Sequence, residues 1–180
     1  GFRQTQDSWF GVLHYQSSQN SAYANLQYEY FWGKNRQHDL KTGVSYRHLL
    51  LREDLSFSSD TLPRSFDGLY RREENIPGVF AENIFAFPNA KITWIAGIRA
   101  DRHQQFGWYV TPRTMLRYQP ASNTDLRLSA GTGWRTVNLF PENINLLTGG
   151  RDLVFVETLR PERAYNVGIN ATQKWSLGAT

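Results

Sequence analysis

The stretch Ile92-Thr93-Trp94-Ile95-Ala96-Gly97-Ile98-Arg99-Ala100-Asp101 decides the fold of this chain. Its even positions are all apolar, whereas its odd positions include Thr93, Arg99 and Asp101. Side chains alternate between the two faces of a β-strand, so this pattern predicts a strand with one apolar face and one charged face.

Two later stretches follow the same rule. Their apolar positions are Trp108, Val110, Leu116 and Tyr118, then Leu126, Leu128, Ala130 and Trp134. The opposite positions are Tyr109, Thr111, Arg113 and Arg117, then Asp125, Arg127, Ser129, Gly131, Gly133 and Arg135. Aromatic residues near the ends of apolar strand faces are typical of a wall between lipid and water, and they favour a transmembrane β-barrel.

Composition excludes several other classes. The chain has 180 residues and no Cys, which excludes a disulfide framework and thiolate chemistry. Its longest aliphatic run is Leu49-Leu50-Leu51, far short of the about 20 residues of a membrane helix. A net charge of +4 permits anionic partners, but we interpret it as a mildly basic surface.

Eight strand-like segments are predicted along the chain. They cover residues 8–16, 22–32, 38–52, 79–87, 92–100, 108–118, 126–135 and 164–175. Most are longer than the soluble average of about 5–6 residues and reach the about 9–11 that cross a bilayer at a tilt.

The connections between these segments alternate in character. Short turns are predicted at 33–37, 88–90 and 120–123, on one side of the sheet. Long irregular loops are predicted at about 56–78 and 136–163, on the other side, together with short connections near 17–20 and 104–107. Short turns on one side and long loops on the other are typical of outer-membrane barrels, which makes the two long segments extracellular loops.

Several local motifs lie between residues 78 and 166. Residues 96–101 (AGIRAD) resemble the G-x-R-x-D strand of TonB-dependent outer-membrane receptors, and residues 110–113 (VTPR) follow at the distance expected in that family. Residues 126–135 (LRLSAGTGWR) and 159–166 (LRPERAYN) resemble two later family motifs, and residues 78–82 (GVFAE) precede the first. The resemblance covers about residues 78–175.

The resemblance implies that residues 1–180 are part of a larger barrel, about eight antiparallel transmembrane strands without the plug. The chain starts at Gly1 and stops just after a predicted strand, so we expect an internal piece of a longer protein. The family is found in the bacterial outer membrane and imports scarce ligands such as iron chelates (siderophores), cobalamin or glycans. Its partners are outer-membrane lipid, the N-terminal plug domain of the same protein, the TonB complex through an N-terminal region, and the small-molecule or glycan ligand.

The charged strand faces of a barrel must point to the lumen or the plug, because Arg or Lys facing lipid costs about 2–4 kcal/mol at the midplane. The predicted lumen-facing residues are Arg99, Asp101, Arg113, Arg117, Arg127 and Arg135. They could bind carboxylates of the plug or of an anionic ligand. The favoured interpretation is structural, with solvated charges or interstrand ion pairs such as Arg99 with Asp125.

Proline, glycine and aromatic residues allow further predictions about the shape and the edges of the sheet. Pro112 predicts a β-bulge because it has no N–H for the ladder. Lumen-side glycines such as Gly97 and Gly168 would permit curvature or close approach of the plug. The aromatic belts are predicted from Tyr28, Tyr30, Trp32, Trp94, Trp108, Tyr118, Trp134 and Trp175.

Ligand contacts are expected from the long loops, where aromatic and amide side chains are mixed. The candidates are Phe66, Tyr70, Arg71, Arg72, Asn138, Phe140, Asn143 and Asn145. No catalytic motif is present, and the four His lack metal-ligand spacing, so we expect neither an enzyme nor a metal site or cofactor. No nucleic-acid partner is expected.

Two other classes stay open. A soluble extracellular all-β module, such as one that binds carbohydrate, would bury the apolar faces against a second sheet. An all-β hydrolase is disfavoured because the chain offers no acid/base pair. The apolar faces discriminate between the first alternative and the barrel, since a barrel exposes them to lipid.

Overall fold

Eight antiparallel strands lie side by side in the order in which they occur along the chain. The computed structural model describes residues 1–58, 67–143, 147 and 159–175. The strands are β1 (Phe2–Phe10), β2 (Leu13–Trp32), β3 (His38–Phe57), β4 (Gly68–Phe87), β5 (Ile92–His103), β6 (Gly107–Ala121), β7 (Thr124–Arg135) and β8 (Glu162–Gln173). Within the described parts, a short helix α1 (Leu139–Glu142) follows β7, and no helix is long and apolar enough to span a membrane.

The all-β, antiparallel prediction is confirmed, and β5 to β8 begin and end within a few residues of their predicted ranges. The first predicted strand is wrong. Residues 8–16 cross a reversal at Gly11, whose φ of +63° favours glycine. Residues 17–20, predicted as a connection, lie within β2 and pair with β1. The apolar residues on both sides of Gly11 conceal this turn in the sequence.

The loop predicted at 56–78 is also corrected. β4 begins at Gly68, and its first ten residues pair with the second half of β3. The polar residues of this stretch, such as Glu73 and Asn75, suggested a loop. They tolerate a strand here because they lie on the face opposite the small hydrophobic core, and that face needs no apolar side chain at this end of the sheet.

Pro112 affects the sheet differently from the prediction. It pairs in register with Ile98 on β5, and the register irregularity of β6 lies between Tyr118 and Ala121 instead. The ladder between β6 and β7 ends at Arg113 opposite Gly131, one residue from Pro112, which has no N–H to donate. The end of β7 is therefore free to turn relative to β6.

The strand register defines two faces, which we call the apolar face and the polar face. Along residues 24–32, 38–46, 77–87, 92–100, 110–118, 126–130 and 165–171, the apolar face carries no Asp, Glu, Lys or Arg. We call these segments the apolar band. Nine residues of β5 span it, about 30 Å along the strand, which fits the about 25 Å of a barrel's apolar belt once the strands tilt.

Three polar side chains of the apolar band donate hydrogen bonds within the sheet. The indole of Trp32 donates to Asn83 Oδ1 at 3.0 Å, and that of Trp94 donates to Thr114 Oγ1 at 2.8 Å. Thr42 Oγ1 donates to the carbonyl of Phe80 at 3.0 Å. These three donors therefore need no hydrogen-bond partner outside the sheet.

An aromatic cluster forms at the short-turn end of the apolar face. Trp32 contacts His38 and Phe85 at ring-centroid distances of 4.4 and 6.2 Å, and Phe85 stacks on Trp94 at 5.0 Å. His38 also meets Phe87 at 6.0 Å. This arrangement matches an aromatic belt at one membrane interface.

The polar face is concave. Arg47 on β3 lies 5.7 Å from the ring of Trp134 on β7. Four strand spacings in a flat sheet measure about 19 Å, so the sheet must curl to bring these residues together. A small hydrophobic core lies on this concave face at the end opposite the short turns, where Phe140 and Leu147 pack on Leu13, Tyr15 and Leu55.

Candidate functional site

The predicted lumen-facing residues lie mainly on the polar face, where each has a partner in the wall. Arg99 pairs with Asp101 at 2.7 Å, and Arg113 pairs with Glu82 at 2.5 Å. Arg117 and Arg127 both pair with Asp125, the latter at 2.9 Å. Interstrand and intrastrand ion pairs therefore neutralise these positions, although the specific pair Arg99 with Asp125 is wrong.

Arg135 departs from the alternation of faces that the sequence of β7 predicts. Because β7 turns after Gly131, Trp134 lies on the polar face, not on the apolar face as predicted. Its indole donates to Asp101 Oδ2 at 3.2 Å. Arg135 instead joins the wall to the segment after β7, pairing with Glu142 at 3.0 Å and Glu162 at 2.8 Å.

A glycine makes room for the Arg99 network. A Cβ at Gly78 would lie 2.2 Å from Asp101 Oδ1, 2.9 Å from Arg99 Nη2 and 3.0 Å from Ser45 Oγ. Arg99 also donates to Ser45 Oγ at 2.7 Å, so its side chain lies flat against the wall. At this position the polar-face glycine admits neighbouring side chains from the same wall.

An open cavity of about 610 Å³ lies at the loop end of the polar face. β4 contributes Tyr70, Arg71, Arg72, Glu73 and Glu74, and β3 contributes Glu53. The turn after β5 adds His103, Gln105 and Phe106, and the segments flanking β8 and β7 add Thr136, Val137, Leu139, Phe140, Leu159, Arg160 and Pro161. Four of the predicted ligand residues, Tyr70, Arg71, Arg72 and Phe140, thus line one cavity.

Arg72 holds the segment after β7 against this cavity. Its guanidinium donates to the carbonyl of Val137 at 2.7 Å and to Asn138 Oδ1 at 2.5 Å. Phe140 is buried in the core cluster and meets the ring of Tyr70 at 4.5 Å. Asn138 and Phe140 are therefore structural supports of the cavity wall as well as candidate ligand residues.

The other ligand predictions have different positions. Asn143 Nδ2 donates to the carbonyl of Leu139 at 2.7 Å, so its amide closes the end of α1 and does not line the cavity. Phe66 and Asn145 lie outside the described residues. Tyr70, Arg71 and Arg72 are strand residues of β4, although the sequence placed them in a loop.

Beneath the cavity, Tyr15 donates a hydrogen bond of 2.7 Å to Glu53 Oε1. Burial raises the pKa of Glu53, although the Tyr15 hydroxyl and Arg72 oppose this shift. Burial also raises the pKa of Tyr15, with a further contribution from Glu53. This pair is a buried polar contact between β2 and β3 under the hydrophobic core cluster.

His103 is buried in the cavity wall. Its Nδ1 accepts from the main-chain N–H groups of Gln105 at 3.1 Å and Phe106 at 3.3 Å. A neutral imidazole with an acceptor at Nδ1 carries its proton on Nε2. Burial lowers the pKa of His103, which keeps the ring neutral.

Beside the cavity, two arginines enclose a pair of stacked aromatic rings. Trp134 stacks on Tyr109 at 4.2 Å with an interplanar angle of 15°. Arg47 lies over the Trp134 ring at 5.7 Å, and Arg163 lies over the Tyr109 ring at 5.3 Å. Both distances are within the about 6 Å of a cation–π contact. We call these four residues the arginine–aromatic stack.

Comparison with known families identifies the wall that carries these sites. The family model described as TonB dependent receptor-like, beta-barrel matches residues 1–180. The chain belongs to the TonB-dependent receptor β-barrel family. No curated protein and no solved structure matches the chain.

Family membership confirms the resemblance that the motifs carried, and it makes the eight-stranded sheet a segment of a receptor barrel. The family is one of outer-membrane receptors that act in transport, not of enzymes. Across the residues that the structure describes, no group of three or more His, Asp or Glu side chains could hold a metal ion.

Sequence reasoning missed several residues of the receptor's site. His103, Glu53 and the stack members Arg47, Tyr109 and Arg163 were not among the predicted site residues. The alternation of faces along a strand already places Arg47 and Tyr109 on the charged face, which was an available signal. The same alternation places His103, two residues after Asp101, on that face. The signal for Arg163 is absent from the sequence, because its position depends on the turn of β7 after Gly131.

Proposed function

We propose that this chain forms part of the wall and the outer mouth of a receptor that imports a scarce ligand across the bacterial outer membrane with energy from the TonB complex. The observation that supports this most directly is the apolar band. Its surface lacks ionised side chains on all strands from β2 to β8, whereas the opposite face carries the ion pairs. A wall between lipid and water requires this division.

The polar face then points to the lumen and to the N-terminal plug domain of the same protein. The paired charges of Arg99, Asp101, Arg113, Arg117 and Arg127 form the surface against which the plug packs. Since each charge already has a partner in the wall, the plug surface does not need a matching charge at every position. The TonB complex acts through the N-terminal region.

The segments between β3 and β4 and between β7 and β8 then lie outside the cell, around residues 58–67 and 136–161. The cavity between β4 and the segment after β7 opens on this side, and it is where we place ligand capture. Its volume of about 610 Å³ suits a small molecule or part of a glycan. Iron chelates, cobalamin and glycans are the ligand classes to test.

Fractionation of the source cells tests this proposal. The full-length protein should be enriched in the outer membrane and should migrate faster on SDS gels before boiling than after it. Uptake of the ligand should stop when the TonB complex is removed. A soluble protein without a heat-dependent band would instead support a soluble carbohydrate-binding module, whose apolar faces would pack against a second sheet.

A further inference from the structure

We propose that the ligand of this receptor is a small solute with at least two anionic groups, held by the cavity and by the arginine–aromatic stack. This inference rests on the proposed function, because it names the ligand class that the same outer mouth accepts. It is carried by hydrogen-bond donors and guanidinium groups that have no acceptor in the described part of the wall.

The first donor is His103. Its Nε2 is buried, has no hydrogen-bond partner in the described structure, and lies 3.8 Å from Glu74 Oε1, beyond hydrogen-bond distance. Because Nδ1 accepts two main-chain hydrogen bonds, Nε2 is the protonated nitrogen. A buried N–H without a partner is costly, and a ligand oxygen in the cavity would satisfy it.

The second group consists of cations without carboxylate partners. Most arginines of the polar face pair with an Asp or Glu within 4 Å, as Arg99, Arg113 and Arg117 do. Within the described ranges, no such pair involves Arg47, Arg160 or Arg163. Arg160 lines the cavity itself. These three guanidinium groups are therefore available to an anion at the loop end of the polar face.

The stack adjoins the cavity. Arg47 pairs in register with Ile76, two residues along β4 from the cavity residue Glu74. The indole of Trp134 is oriented by its hydrogen bond to Asp101, so the two rings form a fixed support for Arg47 and Arg163. A guanidinium held on an aromatic face still directs its N–H groups to a carboxylate or phosphate.

Together these groups recognise oxygen anions more readily than a neutral sugar. His103 Nε2 and Arg160 bind one anionic group in the cavity, and Arg47 and Arg163, which lie on opposite sides of the stack, each offer a guanidinium to a further anionic group. The carboxylates near this region already have partners. Asp101 binds Arg99 and Trp134, and Glu53 binds Tyr15. The cavity residues Glu73 and Glu74 pair with Arg71 at 2.9 Å and Arg72 at 3.5 Å. They do not cancel the unpaired cations.

Equilibrium binding to the purified full-length receptor in detergent tests this inference. The probes are citrate, inorganic pyrophosphate and uncharged maltotriose, measured by titration calorimetry at low and high salt. We expect both anions to bind, the sugar not to bind, and added salt to weaken binding. Different affinities for citrate and pyrophosphate would show whether carboxylate or phosphate is preferred.

Variants locate the site. Changing both Arg47→Gln and Arg163→Gln should lower the affinity for the anions by about tenfold or more, because each removed guanidinium made charged hydrogen bonds. The double variant Arg52→Gln and Arg102→Gln is the matched control. It removes the same two charges at the loop end but from the apolar-face side of β3 and β5, so anion affinity should stay unchanged.

Other results would overturn the inference. If neither anion binds, or if the double variant binds them as tightly as the parent, the stack is not an anion site. If the double variant instead lowers the melting temperature of the receptor without affecting any probe, Arg47 and Arg163 pair with plug carboxylates. In each case outer-membrane enrichment and TonB-dependent uptake would leave the proposed function intact, whereas their loss would refute it separately.

Discussion

Arg72 donates a hydrogen bond of 2.7 Å to the main-chain carbonyl oxygen of Val137, which ties β4 to the segment that follows β7. These residues are 65 positions apart in sequence. A second hydrogen bond of the same guanidinium reaches Asn138. One side chain therefore keeps residues of a long connection folded over the cavity mouth.

Arg72→Gln should release this segment. Hydrogen bonds to charged groups contribute about 1.5–3 kcal/mol each, so amide hydrogen exchange of residues 137–143 should accelerate about tenfold or more. Arg71→Gln is the control, since Arg71 is its neighbour but pairs with Glu73 at an exposed site. Equal exchange in both variants and the parent would show that Arg72 does not hold the segment.

A charge on the apolar face should destabilise the receptor far more than the same charge on the polar face. Leu26 and Gln27 are neighbours in β2 on opposite faces, and the Leu26 side chain is 73% exposed in the isolated wall. Leu26→Arg should cost about 2–4 kcal/mol in a bilayer, whereas Gln27→Arg should cost little. Urea unfolding of the receptor in liposomes measures both, and equal costs would contradict the assignment of the faces.

Gly78→Ala should disturb the Arg99–Asp101 network. The added methyl would lie 2.2 Å from Asp101 Oδ1, a carboxylate that Arg99 and Trp134 hold in place. Overpacking of this kind costs about 1–3 kcal/mol. Gly133→Ala is the matched control, because its Cβ would meet nothing within 4 Å. The melting temperature should fall for the first variant only, and similar values for both would argue against this crowding.

The Tyr15–Glu53 pair predicts a pH dependence. Burial raises the pKa of Glu53 above its ordinary value of 4.5. The folded protein therefore retains this proton to higher pH than the unfolded chain does, so the contribution of Glu53 to stability is full below pH 4.5 and declines as pH rises through the raised pKa.

Glu53→Gln removes this titration. Its melting temperature relative to the parent should increase as pH rises from 4 to 7, because only the parent must then ionise a buried carboxyl. The Tyr15 hydroxyl opposes the shift, so Tyr15→Phe should move the transition to higher pH. A difference between Glu53→Gln and the parent that stays constant over this range would contradict the account.

The sequence was sufficient where a period of two was regular. β5 to β8 were predicted because residues such as Ile98, Leu116 and Leu128 alternate with charged neighbours, and that alternation follows from the geometry of a strand in a two-faced wall. The same rule did not predict a strand in the first half of β4. Glu73 and Asn75 lie on the same face as the apolar band but outside the band itself, where polar side chains can be solvated.

The site was less predictable because it depends on the register and on chain reversals. Asp125 was correctly regarded as an arginine partner, but its partners are Arg117, which the pairing of β6 with β7 brings to it, and Arg127, two residues along the same strand. Trp134 occupies an even position, as the apolar-face residues of β7 do. It nevertheless lies on the polar face, because the hydrogen-bonded pairing of β7 with β6 ends beside Pro112. Local sequence patterns do not contain this information.

The division of the sheet into a lipid face and a lumen face is tested most directly by a spin-label scan. The chain contains no Cys, so single cysteines can be introduced at each position from 92 to 100 of the receptor and labelled in liposomes. Even positions should be relaxed by oxygen dissolved in lipid, whereas odd positions, which face the lumen or the plug, should not, in strict alternation. Uniform accessibility to a water-soluble paramagnetic reagent, or protection of the even positions from both oxygen and that reagent, would contradict the barrel wall.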